Sequence, residues 1–455
     1  RRVCETMPMI AARASVDRPA GALALLAGRR FGGLFWAQAL SAFNDNAVKN
    51  ALVLMIAFDP DAGSRLSAQI LVPLAGGIFM LPFFLCSAGA GRLADEHDKA
   101  WLVRLIKLSE IPLMLVAAAG VLAGSTTVLL VLLGAMGVEA ALFGPLKYAI
   151  LPDLLAPHEL LLGNALVEAG TFLAILFGTI AGALIAGHHG AAVVAALIVA
   201  VACAAWGASL AIPPTGAAAA RGRGARWNIF ADTARVIREA ARRKTPFRAM
   251  LGISWFWLAG AVYLSQFPGY VRFYLGGEEA VVTLLLTVFS VGIAAGSLAC
   301  SRILAGRISA RTVPWGALGI GLFSIDLWLA SPAAAAGAAL TGLGAFLASP
   351  AHWRILADLF GISASAGIFI VPLYALLQAA SPREERARAI AANNVINAAA
   401  MVLSAAAVIA LAAAGVTIPG LFLLTGVATI AVGFLFWRML PGFAAAPLRL
   451  DKAQG

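Results

Sequence analysis

Charge is what this sequence has least of. Only 12% of its 455 residues are Asp, Glu, Lys or Arg, against about 25% in a soluble globule. Hydrophobic residues make up 61%, and the mean hydropathy is +0.90. That balance excludes an ordinary water-soluble domain. Sustained apolar–polar alternation is missing too, which excludes an outer-membrane barrel and leaves helices as the spanning elements. Cysteine is scarce: Cys4, Cys86, Cys203 and Cys300 form no CxxC and read as small core residues. The adjacent His188 and His189 fall in a short external turn with no further ligands in reach, so no metal is expected. There is no GxxxxGK[ST], and no histidine is followed five positions later by Asp. The chain therefore carries neither a P-loop nor the HxxxxD of glycerolipid acyltransferases, and neither an enzyme nor a cofactor site is expected.

What is present is a series of long apolar runs. Spans are expected near 33–57, 69–92, 101–123, 126–149, 163–187, 190–212, 248–271, 281–304, 312–330, 356–379, 387–413 and 417–438. Twenty-eight of the 33 Lys and Arg then fall on one side; Lys49 and Lys147 lie inside spans, and Arg65, Arg272 and Arg354 remain for the other side. The positive-inside rule makes the basic side cytoplasmic, with both termini there. Basic charge is thus a topology signal and not a nucleic-acid footprint. Residues 333–350 (AAAAGAALTGLGAFLASP) tempt a thirteenth span, but counting them would throw Arg383, Arg386 and Arg388 outside. They read as an external loop or a helix lying on the bilayer.

The expected organisation is a cytoplasmic leader at 1–30 without a cleavable signal pattern, six spans over 31–212, a basic linker at 213–247, six spans over 248–440 and a cytoplasmic tail at 441–455. Within the linker, Ile229, Phe230, Val236, Ile237 and Ala240 recur at helical spacing opposite Arg235, Arg238, Arg242 and Arg243. Such an amphipathic helix suits an anionic lipid surface, or else serves as a solvated tether. A faint repeat links the halves. Pro145-Leu146-Lys147-Tyr148, a Pro-bearing loop, then Asn164 and Glu168 is echoed by Pro372-Leu373-Tyr374, a Pro-bearing loop, then Asn393 and Asn397.

Chemistry must come from the polar residues that a bilayer makes costly, about 2.5–3.5 kcal/mol for a central Asp or Lys. The first span carries Gln38, Asn44, Asp45, Asn46, Lys49 and Asn50. Asp45 and Lys49 are four apart and can pair on one face, either pinning helices together or lining a water-filled cavity. The density favours the cavity. Glu139, Lys147, Glu168, Asn393, Asn394 and Asn397 are further candidates, with Lys147 and Glu168 expected to pair near the inner end of adjacent spans. Glu110 and Asp326 are equally well explained by structural partners. Arg354 and Asp358, four apart at a helix start, read as a surface salt bridge, and Trp255, Trp257, Tyr263 and Tyr270 as interface or packing aromatics.

The loop Gly91-Arg92-Leu93-Ala94-Asp95-Glu96-His97-Asp98-Lys99 resembles the signature of the major facilitator superfamily. Within it, SAFNDNAVKNALV (41–53), GRLADEHDKAWLVRLIKLSE (91–110), FGPLKYAILPDLL (143–155), GNALVEAGTFLAILFGT (163–179), IVPLYALLQ (370–378) and RARAIAANNVINA (386–398) resemble bacterial lysophospholipid transporters. That family includes the transporter domain fused to acylglycerophosphoethanolamine acyltransferase. The resemblance implies an all-α membrane protein of two six-helix bundles in the inner membrane. It would be a monomer that flips lysophosphatidylethanolamine-type lipids inward by alternating access. Its partners would be the lysophospholipid, membrane lipids and a cytoplasmic acyltransferase that restores the second chain. A zwitterionic head group needs a carboxylate for its ammonium and cations or amide donors for its phosphate, which Asp45, Asn46, Lys49, Glu139 and Lys147 could supply, with Glu168, Asn394 and Asn397 as further substrate-binding candidates. Gating would fall to Gly91, Arg92, Asp95, Lys99 and Asn164, with Asp95 capping a helix that begins near Arg388. Two other functions remain open: a proton-driven amphiphile exporter using Asp45 or Glu168, and a membrane anchor serving a fused or partner acyltransferase.

Overall fold

The structure, a computed structural model, describes residues 21–57, 65–188, 190–216, 229–334 and 340–439. Most of the leader, His189, the basic stretch at 217–228 and the tail beyond 439 lie outside the described residues.

Thirteen helices of fourteen residues or more make up nearly all of it. They are α1 (Arg29–Ala57), α2 (Arg65–Glu96), α3 (Lys99–Leu122), α4 (Thr126–Ala149), α5 (Leu160–His188), α6 (Ala191–Leu210), α7 (Ile229–Arg242), α8 (Lys244–Tyr270), α9 (Glu279–Ile303), α10 (Val313–Ala330), α11 (Pro350–Ala380), α12 (Arg386–Ala413) and α13 (Ile418–Met439). Their ends follow local chemistry. Asp98 caps α3 by accepting from the Trp101 N–H at 2.7 Å, Ser125 caps α4, and Pro350 opens α11, where its missing N–H costs nothing. Burial pulls the Asp98 carboxyl up, but the backbone N–H groups of Trp101, Gly216 and Thr215 outweigh it and hold the carboxyl below its ordinary value.

Among the described residues, eleven helices are long and apolar enough to cross a membrane. The polar α1 is not one of them, although its 29 residues exceed the length required. Residues 343–348 form a six-residue helix, about 9 Å long at 1.5 Å per residue and far short of a span. Thr341 ties that segment to the turn between α8 and α9, donating its N–H to the Gly276 carbonyl at 2.7 Å.

Packing groups α1–α6 together and α8–α13 together. In the first group α1 lies on α5 and α6, and α2 on α4; in the second, α9 lies on α11, and α10 on α11 and α13. The groups meet where α5 touches α9 and α11, and where α12 touches α2 and α4. Glycine permits the closest approach within the second group. A Cβ at Gly367 would stand 2.5 Å from the Ile293 carbonyl oxygen, and one at Gly296 would collide with Ala364 backbone. Small-residue seams of this kind replace the hydrophobic drive that is lost in lipid.

The linker helix α7 packs part of its apolar face on the bundle. Val236 and Ala240 are buried against α2, α8 and α12, while Arg235, Arg238 and Arg242 face outward. Val236 and Ala240 of its apolar stripe are thus covered by protein.

Candidate functional site: a charged cavity above a layered gate

A cavity of about 270 Å³ lies between the two groups of helices. Asp45, Asn46 and Lys49 of α1, Glu139 and Lys147 of α4, and Asn394 and Asn397 of α12 all line it. Seven of the eight expected head-group residues are thereby brought together; Glu168 is fully buried outside the lining. Asp45 and Lys49 do not close to an ion pair within 4 Å. Lys49 instead sets its ammonium 4.3 Å from the centre of the Phe79 ring, a cation–π contact. Asn46 turns its amide back to the Ala42 carbonyl at 2.7 Å, and Asn397 accepts from the Ser254 hydroxyl at 2.7 Å.

Behind this wall sits the residue that sequence reasoning missed. Lys107, one of the 28 basic residues that the spans assign to the cytoplasmic side, is wholly buried. Its ammonium reaches Glu139 at 2.6 Å, Glu110 at 3.1 Å and the Ser41 hydroxyl at 2.6 Å, and lies 4.0 Å from the Phe143 ring centre. Ser41 also donates to Glu110, and Asn44 donates to Glu110 at 3.4 Å. Three cations (Lys49, Lys107, Lys147) thus face three carboxylates (Asp45, Glu110, Glu139) in and behind one wall. The spacing of Lys107 and Glu110, one helical turn apart, was the available signal.

Beneath the cavity, toward the basic ends of the helices, the two halves are held together in layers. Tyr148 of α4 and Tyr374 of α11 stack with ring centres 4.1 Å apart and 6° between planes. Tyr374 also receives the Trp257 indole N–H at 3.2 Å. Glu168 accepts from the Tyr148 hydroxyl; the expected Lys147–Glu168 ion pair is not formed, and Lys147 lies 4.9 Å from the Tyr148 ring centre. One layer further, Asn164 and Gln378 exchange amide hydrogen bonds at 2.7 and 2.9 Å.

At the basic end, Asp95 accepts from the Ala387 N–H at 3.0 Å, the Arg388 N–H at 3.3 Å and the Arg388 guanidinium at 3.0 Å. This is the carboxylate-to-helix-start contact that the signature loop implies, at the first turn of α12. Asp153 in the short helix Leu151–Leu154 between α4 and α5, another residue not singled out from the sequence, holds Lys99 at 2.9 Å, Arg383 at 3.3 Å and Arg386 at 3.7 Å. Arg92 sits 3.7 Å from Glu96. Gly91 lets the helices meet at all: a Cβ there would lie 2.6 Å from the Ala391 Cβ and 3.0 Å from the Ala387 carbonyl oxygen.

In the second half, Arg354 pairs with Asp326 of α10 through two nitrogens, not with Asp358 four residues on. The guanidinium fork matches a carboxylate across the helix pair better than one along its own helix. Tyr263 and Tyr270 are packing residues bonded to Ser324 and Ser331, as expected, whereas Trp257 also lines the cavity. Cys86, Cys203 and Cys300 are free, and among the described residues no cluster of His, Cys, Asp or Glu could hold a metal ion.

With this geometry in place, similarity to known proteins decides the family. The Major Facilitator Superfamily profile matches residues 34–361. The lysophospholipid transporter LplT of Cronobacter sakazakii is 31% identical over 368 residues, 79% of this chain and 81% of that one. The chain belongs to the lysophospholipid transporter family of the major facilitator superfamily. LplT of Citrobacter koseri is 29% identical over 416 residues, covering 88% of this chain and 90% of its own. LplT of Escherichia coli O1:K1 is 29% identical over 370 residues, covering 79% and 81%. Among solved structures, a bacterial homologue of the iron transporter ferroportin in the outward-facing state shares the fold, with TM-score 0.64 at 15% identity over 92% of this chain and 100% of that one. The proton:xylose symporter XylE gives 0.63 at 14% identity, covering 91% and 95%. The chain is a multi-pass inner-membrane transporter.

If the Asp95 contact works as a gate, Asp95→Ala should slow transport about tenfold, the effect of losing one charge-assisted hydrogen-bond set, with little change in equilibrium lipid binding. Initial uptake rates and binding isotherms of the same purified variant check this. A large loss of binding at unchanged expression would assign Asp95 to the substrate instead.

Proposed function

We propose that this protein transports lysophospholipids by alternating access, moving lysophosphatidylethanolamine-type lipids to the inner leaflet for reacylation by a cytoplasmic acyltransferase. The carrying observation is the shape of the cavity. Its charged wall balances Lys49 and Lys147 with Asp45 and Glu139, backed by the buried Lys107–Glu110 pair. Trp257 and Met401 also line a second cavity of about 70 Å³ beside it, walled by Phe256, Tyr263, Phe289 and Phe369. A zwitterionic head joined to one acyl chain needs this combination: a carboxylate for the ammonium, cations for the phosphate and an apolar slot beside them. The curated relatives are named for the same substrate class.

The closed layers at the basic end support reading this conformation as outward-open, with the basic side cytoplasmic and α1 counted as the twelfth span. Asp45 would take the ammonium, and Lys49 and Lys147 the phosphate. Asn46, Asn394 and Asn397 would bond the glycerol. Purified protein in liposomes should take up labelled lysophosphatidylethanolamine faster than empty vesicles do. Collapsing H⁺ and Na⁺ gradients in turn identifies any coupling ion. Uptake no faster than in empty vesicles would refute the proposal.

A further inference from the structure

Packed against the stacked tyrosines are polar atoms that nothing in this conformation uses. Glu168 is fully buried; one carboxylate oxygen accepts from Tyr148, and the other has no hydrogen-bond partner. Asn393 is fully buried as well, and neither its amide nitrogen nor its oxygen completes a hydrogen bond, though the Tyr374 hydroxyl lies close by. Buried groups of this kind are rare because each forfeits its water without replacement. The neighbouring amides show that the fold can satisfy such groups when only packing is at stake: Asn164, one turn before Glu168, is paired twice with Gln378. The unsatisfied atoms belong to opposite halves, Glu168 on α5 and Asn393 on α12, and both lie against the Tyr148–Tyr374 stack that floors the cavity.

We propose that Glu168 and Asn393 form a second head-group station at the tyrosine gate, occupied after the gate parts. The station rests on the lysophospholipid reading and deepens it. The free Glu168 oxygen accepts an N–H of the ethanolamine ammonium, while the Asn393 amide donates to the phosphate and its carbonyl oxygen accepts from the glycerol hydroxyl. Unstacking Tyr148 from Tyr374 opens the way from the upper cavity and releases the second Glu168 oxygen. The head group then passes from the Asp45 wall to a site that the closed state leaves uncompensated. That arrangement makes the closed state less stable and favours release of the gate when lipid is present.

The test uses purified full-length protein in liposomes with labelled 1-acyl lysophosphatidylethanolamine and lysophosphatidylglycerol, the second lacking the ammonium. Glu168→Gln should lower ethanolamine-lipid uptake about tenfold and shrink the ethanolamine-to-glycerol uptake ratio by a similar factor. Asn393→Leu removes two unsatisfied atoms, so its melting temperature should hold or rise while uptake of the ethanolamine lipid falls about tenfold. A purely structural pair behaves otherwise: Glu168→Gln would change both lipids by one factor or neither, and Asn393→Leu would transport at the wild-type rate. Either of those results overturns the station alone. Absence of wild-type uptake overturns the substrate reading on which it depends.

Discussion

Replacing Lys107 by methionine is expected to leave little folded transporter in the membrane. The side chain has no exposed surface and stands between Glu139 at 2.6 Å and Glu110 at 3.1 Å. Removing it strands two carboxylates in a low-dielectric interior. Breaking one partner out of a buried ion pair costs about 3–5 kcal/mol, a large share of the roughly 5–15 kcal/mol that holds a typical domain together. The cost comes from uncompensated charge and not from lost packing, since methionine keeps most of the stem. Adding Glu110→Gln and Glu139→Gln should therefore return much of the stability, because replacing a whole buried ionic cluster by neutral groups is close to neutral. Yield of monodisperse protein and thermal melting in detergent measure both effects. A single variant that melts like wild type would mean that the cluster contributes nothing to the fold.

Lys107 also shows where sequence reading stops. A lysine six residues into a predicted span, preceded by Lys99 and Arg104, looks like one more basic residue at the cytoplasmic edge. Only the approach of Ser41 from α1 and Glu139 from α4 encloses it, and neither approach can be read from α3 itself. Asp153 was overlooked for a similar reason. It lies in a single helical turn between two spans, where a carboxylate is unremarkable until three cations from elsewhere in the chain converge on it.

What was legible depended on residues whose cost forces a role. The helical spans and the basic asymmetry follow from composition, and the polar face of the first span from the expense of Asp and Lys in lipid. The faint repeat proved the most informative. Its two tyrosines, three positions after Pro145 and two after Pro372, are the pair that stacks between the halves. Pseudo-symmetric halves bring equivalent positions to their common axis, so matching aromatics meet there. The same repeat gave no hint of the pairing of Asn164 with Gln378. That contact depends on helix register across the interface, which a single sequence does not encode locally.

Asp45→Asn is expected to lower lysophosphatidylethanolamine uptake about a hundredfold, with the protein still inserted and purified intact. Asp45 lines the cavity and makes no ion pair within 4 Å, so its carboxylate remains available to a ligand. The amide keeps the volume and one acceptor oxygen but cannot neutralise an ammonium. Truncating one partner of a desolvated charge pair costs about 2–5 kcal/mol, and each 1.4 kcal/mol is a factor of ten. A loss near the lower end of that range already gives the predicted fall. Fold should survive, because Lys49 keeps its place over the Phe79 ring and the Lys107 cluster is complete without Asp45. Uptake into liposomes at matched protein content, with melting temperature as the control, checks the result. Asp45→Glu separates charge from reach: partial uptake is expected there, since the charge returns one methylene further along. Wild-type transport by Asp45→Asn would take the ammonium away from Asp45 and leave Glu139 as the cavity-lining carboxylate to receive it.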